Sequence, residues 1–129
     1  MASMVEQTAR RMPRGWPADV QPPGSDDWQE SAVAWLLEVV PPQYRKHAVL
    51  RRNPLALAAV ARHHAGACVE GARQGYRTVR TELTEHVPAH VIDGILVAYR
   101  TEGKRLAATS RAVGLVERAL RAEALTPRA

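Results

Sequence analysis

The chain has no phenylalanine, a single cysteine, and aromatic residues amounting to only 5% of its length. One cysteine excludes an internal disulfide, and no zinc-finger spacing is present. Cys68 stands between Ala67 and Val69 in an apolar stripe, so it reads as a small buried hydrophobe with nothing beside it to stabilise a thiolate. No run of about 18 apolar residues occurs, so no transmembrane helix is expected. The opening stretch MASMVEQTARRMPRGWP lacks the continuous apolar segment of a secretory signal, and Glu6 with the prolines that follow argues against a transit peptide. A cytoplasmic location is the expectation. P-loop, dinucleotide-fingerprint, HExxH and helix-turn-helix patterns are all missing, as is an aromatic stacking platform. No cofactor and no resident metal are implied, and an enzyme ranks below a binding protein.

What the chain does have is two long apolar stripes at helical spacing. One reads Leu57, Ala61, His64, Cys68, Gly71, Gly75, Val79, Leu83, and the other Ile92, Leu96, Tyr99, Gly103, Leu106, Ser110, Val113, Leu120. Steps of three and four over such lengths predict amphipathic helices, not strands. Asn53-Pro54 opens one helix, predicted over 54–86, and Pro88 opens the next, predicted over 88–123 and continuous through Gly103. So short a link makes them antiparallel neighbours. Counting positions across the turn at Val87 pairs Gly71 with Gly103 and Gly75 with Tyr99, where glycine allows close backbone approach.

Residues 1–24 hold four of the nine prolines and no periodicity, which predicts a tail or strap, with Trp16 docked on the body of the protein. Residues 25–126 are expected to form the helical domain. Ser25 or Asp26 can cap a first helix carrying Trp28, Ala32, Trp35, Leu36 and Val39 on one face, and Pro41-Pro42 stops it. The fold class expected is therefore all-α: a long antiparallel helical hairpin with a shorter N-terminal helix across its open end. At 1.5 Å per residue the hairpin is about 50 Å long and the first helix about 22 Å. The turn-proximal seam of Gly75, Val79, Leu83, Ile92, Leu96 and Tyr99 is then expected to face water unless covered. A homodimer pairing two hairpins into a four-helix bundle would cover it. The rival is the tail folding back so that Trp16 plugs the seam.

Basic residues supply the other candidates. Arg62, Arg73, Arg77 and Arg80 fall within an arc of about 60° on the second helix, and Arg100, Lys104, Arg111 and Arg118 within another on the third. Such rows can track a phosphate backbone, which makes non-specific nucleic-acid or polyanion binding the alternative function. They equally suit a solvated face carrying pairs such as Glu117 with Arg121. The connector adds Arg45, Lys46, Arg51 and Arg52, which can hold an anion at a helix entrance or close the loop on backbone carbonyls. At the hairpin tip Glu82, His86, His90 and Asp93 could approach as metal ligands, without a specific spacing signature. His64 opposite Ser110 lacks the third group that a nucleophile needs.

Sixteen of the eighteen basic residues are arginine, which with abundant alanine and valine suggests a GC-rich bacterial coding sequence. The formal net charge of +5 permits an anionic partner but is modest beside that of DNA-coating proteins. The stretch GWPADVQPPGSDDWQESAVAWLLEVVPPQYRKHAVLRRNPLALA resembles a family of small uncharacterised all-helical actinobacterial proteins. The likeness lies in Trp16-Pro17, Pro22-Pro23-Gly24, Pro41-Pro42 with Tyr44-Arg45, and Leu50-Arg51-Arg52 before Pro54. It implies a bacterial, cytoplasmic, helical protein and carries no activity or site residues with it. The function expected is a non-enzymatic interaction or scaffolding module that self-associates and holds an unidentified protein partner.

Overall fold

The computed structural model describes residues 12–125, so most of the first half of the expected tail, and residue 126, lie outside the described residues. The described chain is helical, with no strand. Helix α1 is Trp28–Val39, a 3-10 helix follows at Pro42–Lys46, α2 is the single turn Ala48–Arg51, α3 is Pro54–Leu83 and α4 is Ala89–Leu125. Helices α3 and α4 form the long antiparallel hairpin, joined by residues 84–88, and α1 packs across its open end. Gly103 does not break α4.

The helix ends show local chemistry at work. Turns close from Ser25 N–H to the Pro22 carbonyl (3.1 Å) and from Trp28 N–H to the Ser25 carbonyl (3.3 Å), delaying α1 to Trp28. Ser25, expected as a cap, instead gives its hydroxyl to the Pro22 carbonyl at 2.7 Å. Val40 turns extended and Pro41 has no N–H to continue the helix. Asn53 and Pro54 stand at the N-cap and first helical positions of α3. The Asn53 side chain, however, donates backwards to the Val49 carbonyl (2.7 Å), tying α2 to the start of α3 rather than capping it.

Seven-residue repeats set the hairpin seam. On α3 the buried residues include Ala58, Ala65, Ala72 and Val79, each seven apart. The α4 stripe alternates steps of four and three from Ile92 through Leu96, Tyr99 and Gly103 to Val113, Glu117 and Leu120. Matching heptads are the pattern of an antiparallel coiled coil. The buried face of α3 is thus turned by about 50° from the stripe through His64 and Gly71, at 100° per residue. Alanine carries little hydrophobic signal, but its small size lets α4 come close, and that decides which face is buried. Gly103 lies over Ala72, where an added Cβ would be 3.9 Å from the alanine's, and not over Gly71.

Two cores result. The distal one joins Val20, Trp28, Ala32, Leu36 and Val40 to Leu57, Ala58, Ala61, Val113, Val116 and Leu120. Trp16 belongs here: its ring centroid is 6.4 Å from that of Trp28, and its indole N–H donates to the Val20 carbonyl at 2.9 Å. It does not lie on the turn-proximal seam. Trp28 Nε1 donates to Glu123 Oε2 (2.6 Å), fastening the start of α1 to the end of α4. Glu117 is buried but doubly paired, with Arg62 Nε at 2.8 Å and Arg121 at 3.0 Å.

The second core is Val79, Ile92 and Leu96, flanked by half-buried Leu83, Val87, Ile95 and Tyr99. This corrects the expectation that the turn-proximal seam faces water. Val79, Ile92 and Leu96 are only 4–5% exposed because the hairpin closes on them itself. Gly75 is filled by the Tyr99 ring, and an added Cβ there would stand 2.2 Å from Tyr99 Cζ. Of the six seam residues, Val79, Ile92 and Leu96 are buried by the hairpin itself, and Gly75, Leu83 and Tyr99 are half-buried.

Candidate functional site

A two-helix hairpin leaves a groove on each side, and α1 fills only the distal part of one. At 12 residues α1 spans about 18 Å, whereas α3 with 30 residues spans about 45 Å. Beyond the end of α1, the groove on its side has a volume of about 430 Å³ and is lined by Cys68, Gly71, Ala72, Ile95, Ala98, Tyr99, Glu102 and Leu106. Glu102 is its single charged residue, and its carboxylate is engaged by Arg105 Nε at 2.6 Å. Under the C-terminal end of α1 lies a further cleft of about 370 Å³ between Trp35, Val39, His64, Cys68, Arg105 and Thr109.

The opposite groove differs in charge. It encloses about 410 Å³ and has an apolar floor of Val69, Ala72, Tyr76, Tyr99, Gly103 and Ala107. Arg73 and Arg77 rise on the α3 rim and Arg100 and Lys104 on the α4 rim. It continues distally past Gly66 and Ser110 to Arg111. Helical spacing explains the rims, since positions four apart share a face and stand one turn from each other. Arg77 donates to Gln74 (2.8 Å) and lies 3.5 Å from Glu70, which also has Arg73 at 3.9 Å. Arg100 donates to the Tyr76 hydroxyl at 3.0 Å and lies 5.8 Å from its ring centroid. That hydrogen bond, with the charges of Arg100 and Arg80, holds the Tyr76 phenol below its ordinary value.

The residues singled out from the sequence are thus sorted by the tertiary structure. Arg73, Arg77, Arg100, Lys104 and Arg111 come together around one groove. Arg62 does not share it, because its guanidinium is committed to Glu117. Arg80, Lys104, Arg111 and Arg118 make no ion pair among the described residues. In the connector, Arg45 Nε donates to the Leu37 carbonyl (3.0 Å) and Arg51 to the Arg45 carbonyl, so both close the loop, while Lys46 and Arg52 remain exposed. Glu82, His86, His90 and Asp93 are exposed, and no group of three His, Cys, Asp or Glu side chains among the described residues could hold a metal ion. His64 meets Cys68, with Nε2 to Sγ at 3.5 Å, and not Ser110, which lies on the opposite groove. No helix among the described residues is long and apolar enough to cross a membrane.

Tyr76 was not legible as part of a site, since a single aromatic on the polar side of a helix carries no pattern. Its only sequence signal is the register that places it near Arg100 across the turn. The alanines of the floor likewise carry too little hydrophobic signal to stand out along the chain. Geometry defines the chain as an antiparallel helical-hairpin protein with two open grooves. Compared with known proteins, it matches no family model, no curated protein and no solved structure.

Proposed function

We propose that the protein is a non-enzymatic helical scaffolding module, cytoplasmic, that self-associates through the groove left open beyond the end of α1. The observation that carries this reading is the mismatch between a short α1 and a long hairpin. The exposed remainder is apolar, nearly uncharged, and floored by small residues at Gly71, Ala72 and Ala98. Two copies laid antiparallel over that groove make a four-helix bundle and bury Ile95, Ala98 and Leu106 of each by one symmetric contact. Support for a non-enzymatic role comes from the polar groups. Cys68 and His64 touch, but no acid hydrogen-bonds to His64 among the described residues, so a nucleophile–base pair lacks its orienting group.

Light scattering at micromolar concentration tests the reading. Twice the chain mass of 14.2 kDa is the expected result, falling to the monomer mass in Ala98→Glu with helicity retained. A monomer at all concentrations rejects it. Leu96→Glu is unsuitable, because Leu96 belongs to the buried hairpin core and its loss would unfold the protein. The alternative, non-specific binding of nucleic acid along both arginine rows, is less well supported. Arg62 is taken up by Glu117, which removes it from the row on α3. Gel shifts across a salt series would reveal such binding by a steep loss of affinity with salt.

A further inference from the structure

We infer that the cation-rimmed groove on the face opposite α1 docks an acidic amphipathic helix of a partner protein. This goes beyond self-association, which uses the other groove. Three observations converge on that occupant. The floor is apolar, with Ala72, Gly103 and Ala107 small enough for a helix to settle between α3 and α4, and with Tyr76 and Tyr99 as flat walls. The rims are cationic on both sides, with Arg73 and Arg77 facing Arg100 and Lys104, then Arg111 one heptad beyond Lys104. From Gly66 to Arg77 the trough runs about 16 Å, the length of a three-turn helix.

A helix bearing apolar residues on one face and carboxylates on its two flanks matches floor and rims together. Spacings of four (Arg73 to Arg77, Arg100 to Lys104) and seven (Lys104 to Arg111) are those at which carboxylates recur along a single helix face. The fold already accepts one helix on the other side of the same hairpin, where α1 lays Trp28, Ala32 and Leu36 into the distal core. Lys104 and Arg111 have no ion pair among the described residues. Arg73 and Arg77 sit at 3.9 and 3.5 Å from an exposed Glu70, a contact that a partner carboxylate replaces at little loss. A phosphate backbone would answer the rims but bring no apolar surface to the floor.

The test is fluorescence anisotropy on the full chain with a labelled synthetic peptide of about 18 residues, long enough to span the trough as a helix. Its leucines recur at steps of three and four, with glutamates on both flanks. Comparison probes are a peptide of the same composition with the leucines scattered, a lysine-flanked version, and a duplex DNA oligonucleotide. The glutamate-flanked peptide should bind and gain helicity. Arg77→Glu with Lys104→Glu, both exposed, should weaken it about tenfold or more and let the lysine-flanked peptide bind instead. Tyr76→Ala should weaken it several-fold. The inference is overturned if the peptide fails to bind, if the scattered peptide binds equally well, or if duplex DNA binds more tightly and loses that binding in the same double variant. Scattering on the same samples separates the two readings. An intact dimer without peptide binding rejects only this inference, and a monomer that binds the peptide rejects only self-association.

Discussion

Replacing Gly75 with alanine tests the closest contact in the hairpin. Glycine inside a helix is about 1 kcal/mol less favourable than alanine, so Gly→Ala should stabilise wherever there is room. At Gly66, also on α3, a new Cβ would meet nothing within 4 Å, and the gain should be realised, raising the melting temperature by a few degrees, about 4 °C per kcal/mol for a domain of this size. At Gly75 the same atom would stand 2.2 Å from Tyr99 Cζ, 2.5 Å from its hydroxyl and 2.6 Å from Cε1. Van der Waals contact requires the ring to retreat by more than about 1 Å, out of the cluster it shares with Val79, Ile92 and Leu96. Overpacking of this kind costs about 1–3 kcal/mol, so Gly75→Ala should be neutral to destabilising by about 2 kcal/mol while Gly66→Ala gains. Urea denaturation followed by circular dichroism measures both. Tyr99→Leu removes the offending atoms, so a double-mutant cycle between Gly75→Ala and Tyr99→Leu should show about 1–3 kcal/mol of coupling. If Gly75→Ala stabilises as much as Gly66→Ala, the ring does not occupy that gap and the packing described here is wrong.

Leu36 is fully buried between α1 and the hairpin, so Leu36→Ala should cost about 2–5 kcal/mol and release the tryptophan environment, read as a red shift in fluorescence; an unchanged unfolding midpoint would contradict the placement of α1. Glu117→Ala leaves Arg62 and Arg121 without their carboxylate, but both guanidinium groups are about half exposed and can rehydrate, so the loss should be about 1–3 kcal/mol by chemical denaturation. Ultraviolet titration of the tyrosines should show one phenol ionising below the ordinary range, and Arg100→Met should return it upward, since the Arg100 hydrogen bond is the main cause of the lowering; an unchanged titration curve would place Arg100 elsewhere.

Much of the fold was legible because helix signals are local. Asn53-Pro54, Pro41-Pro42 and Pro88 punctuate the chain through their own backbone chemistry, and the observed limits of α3 and α4 lie within three residues of those predicted from them. The Gly75–Tyr99 contact could be placed by counting across the turn, because two antiparallel helices advance equally per residue. The site was legible only as ingredients. Arg73, Arg77, Arg100, Lys104 and Arg111 were all visible as rows, yet Arg62 was indistinguishable from them until Glu117 on the other helix claimed it.

By itself, then, the sequence determined the helices, their order and their antiparallel pairing, since periodicity and short connections depend only on neighbours along the chain. Tertiary structure decided the rotation of α3 about its axis. Ala58, Ala65 and Ala72 win the seam through close approach to α4, an energy that exists only between helices and leaves no strong mark on either one alone. That rotation buries Val79, Ile92 and Leu96 within the hairpin and brings two arginine-bearing edges to one groove. It also leaves the groove beyond α1 apolar.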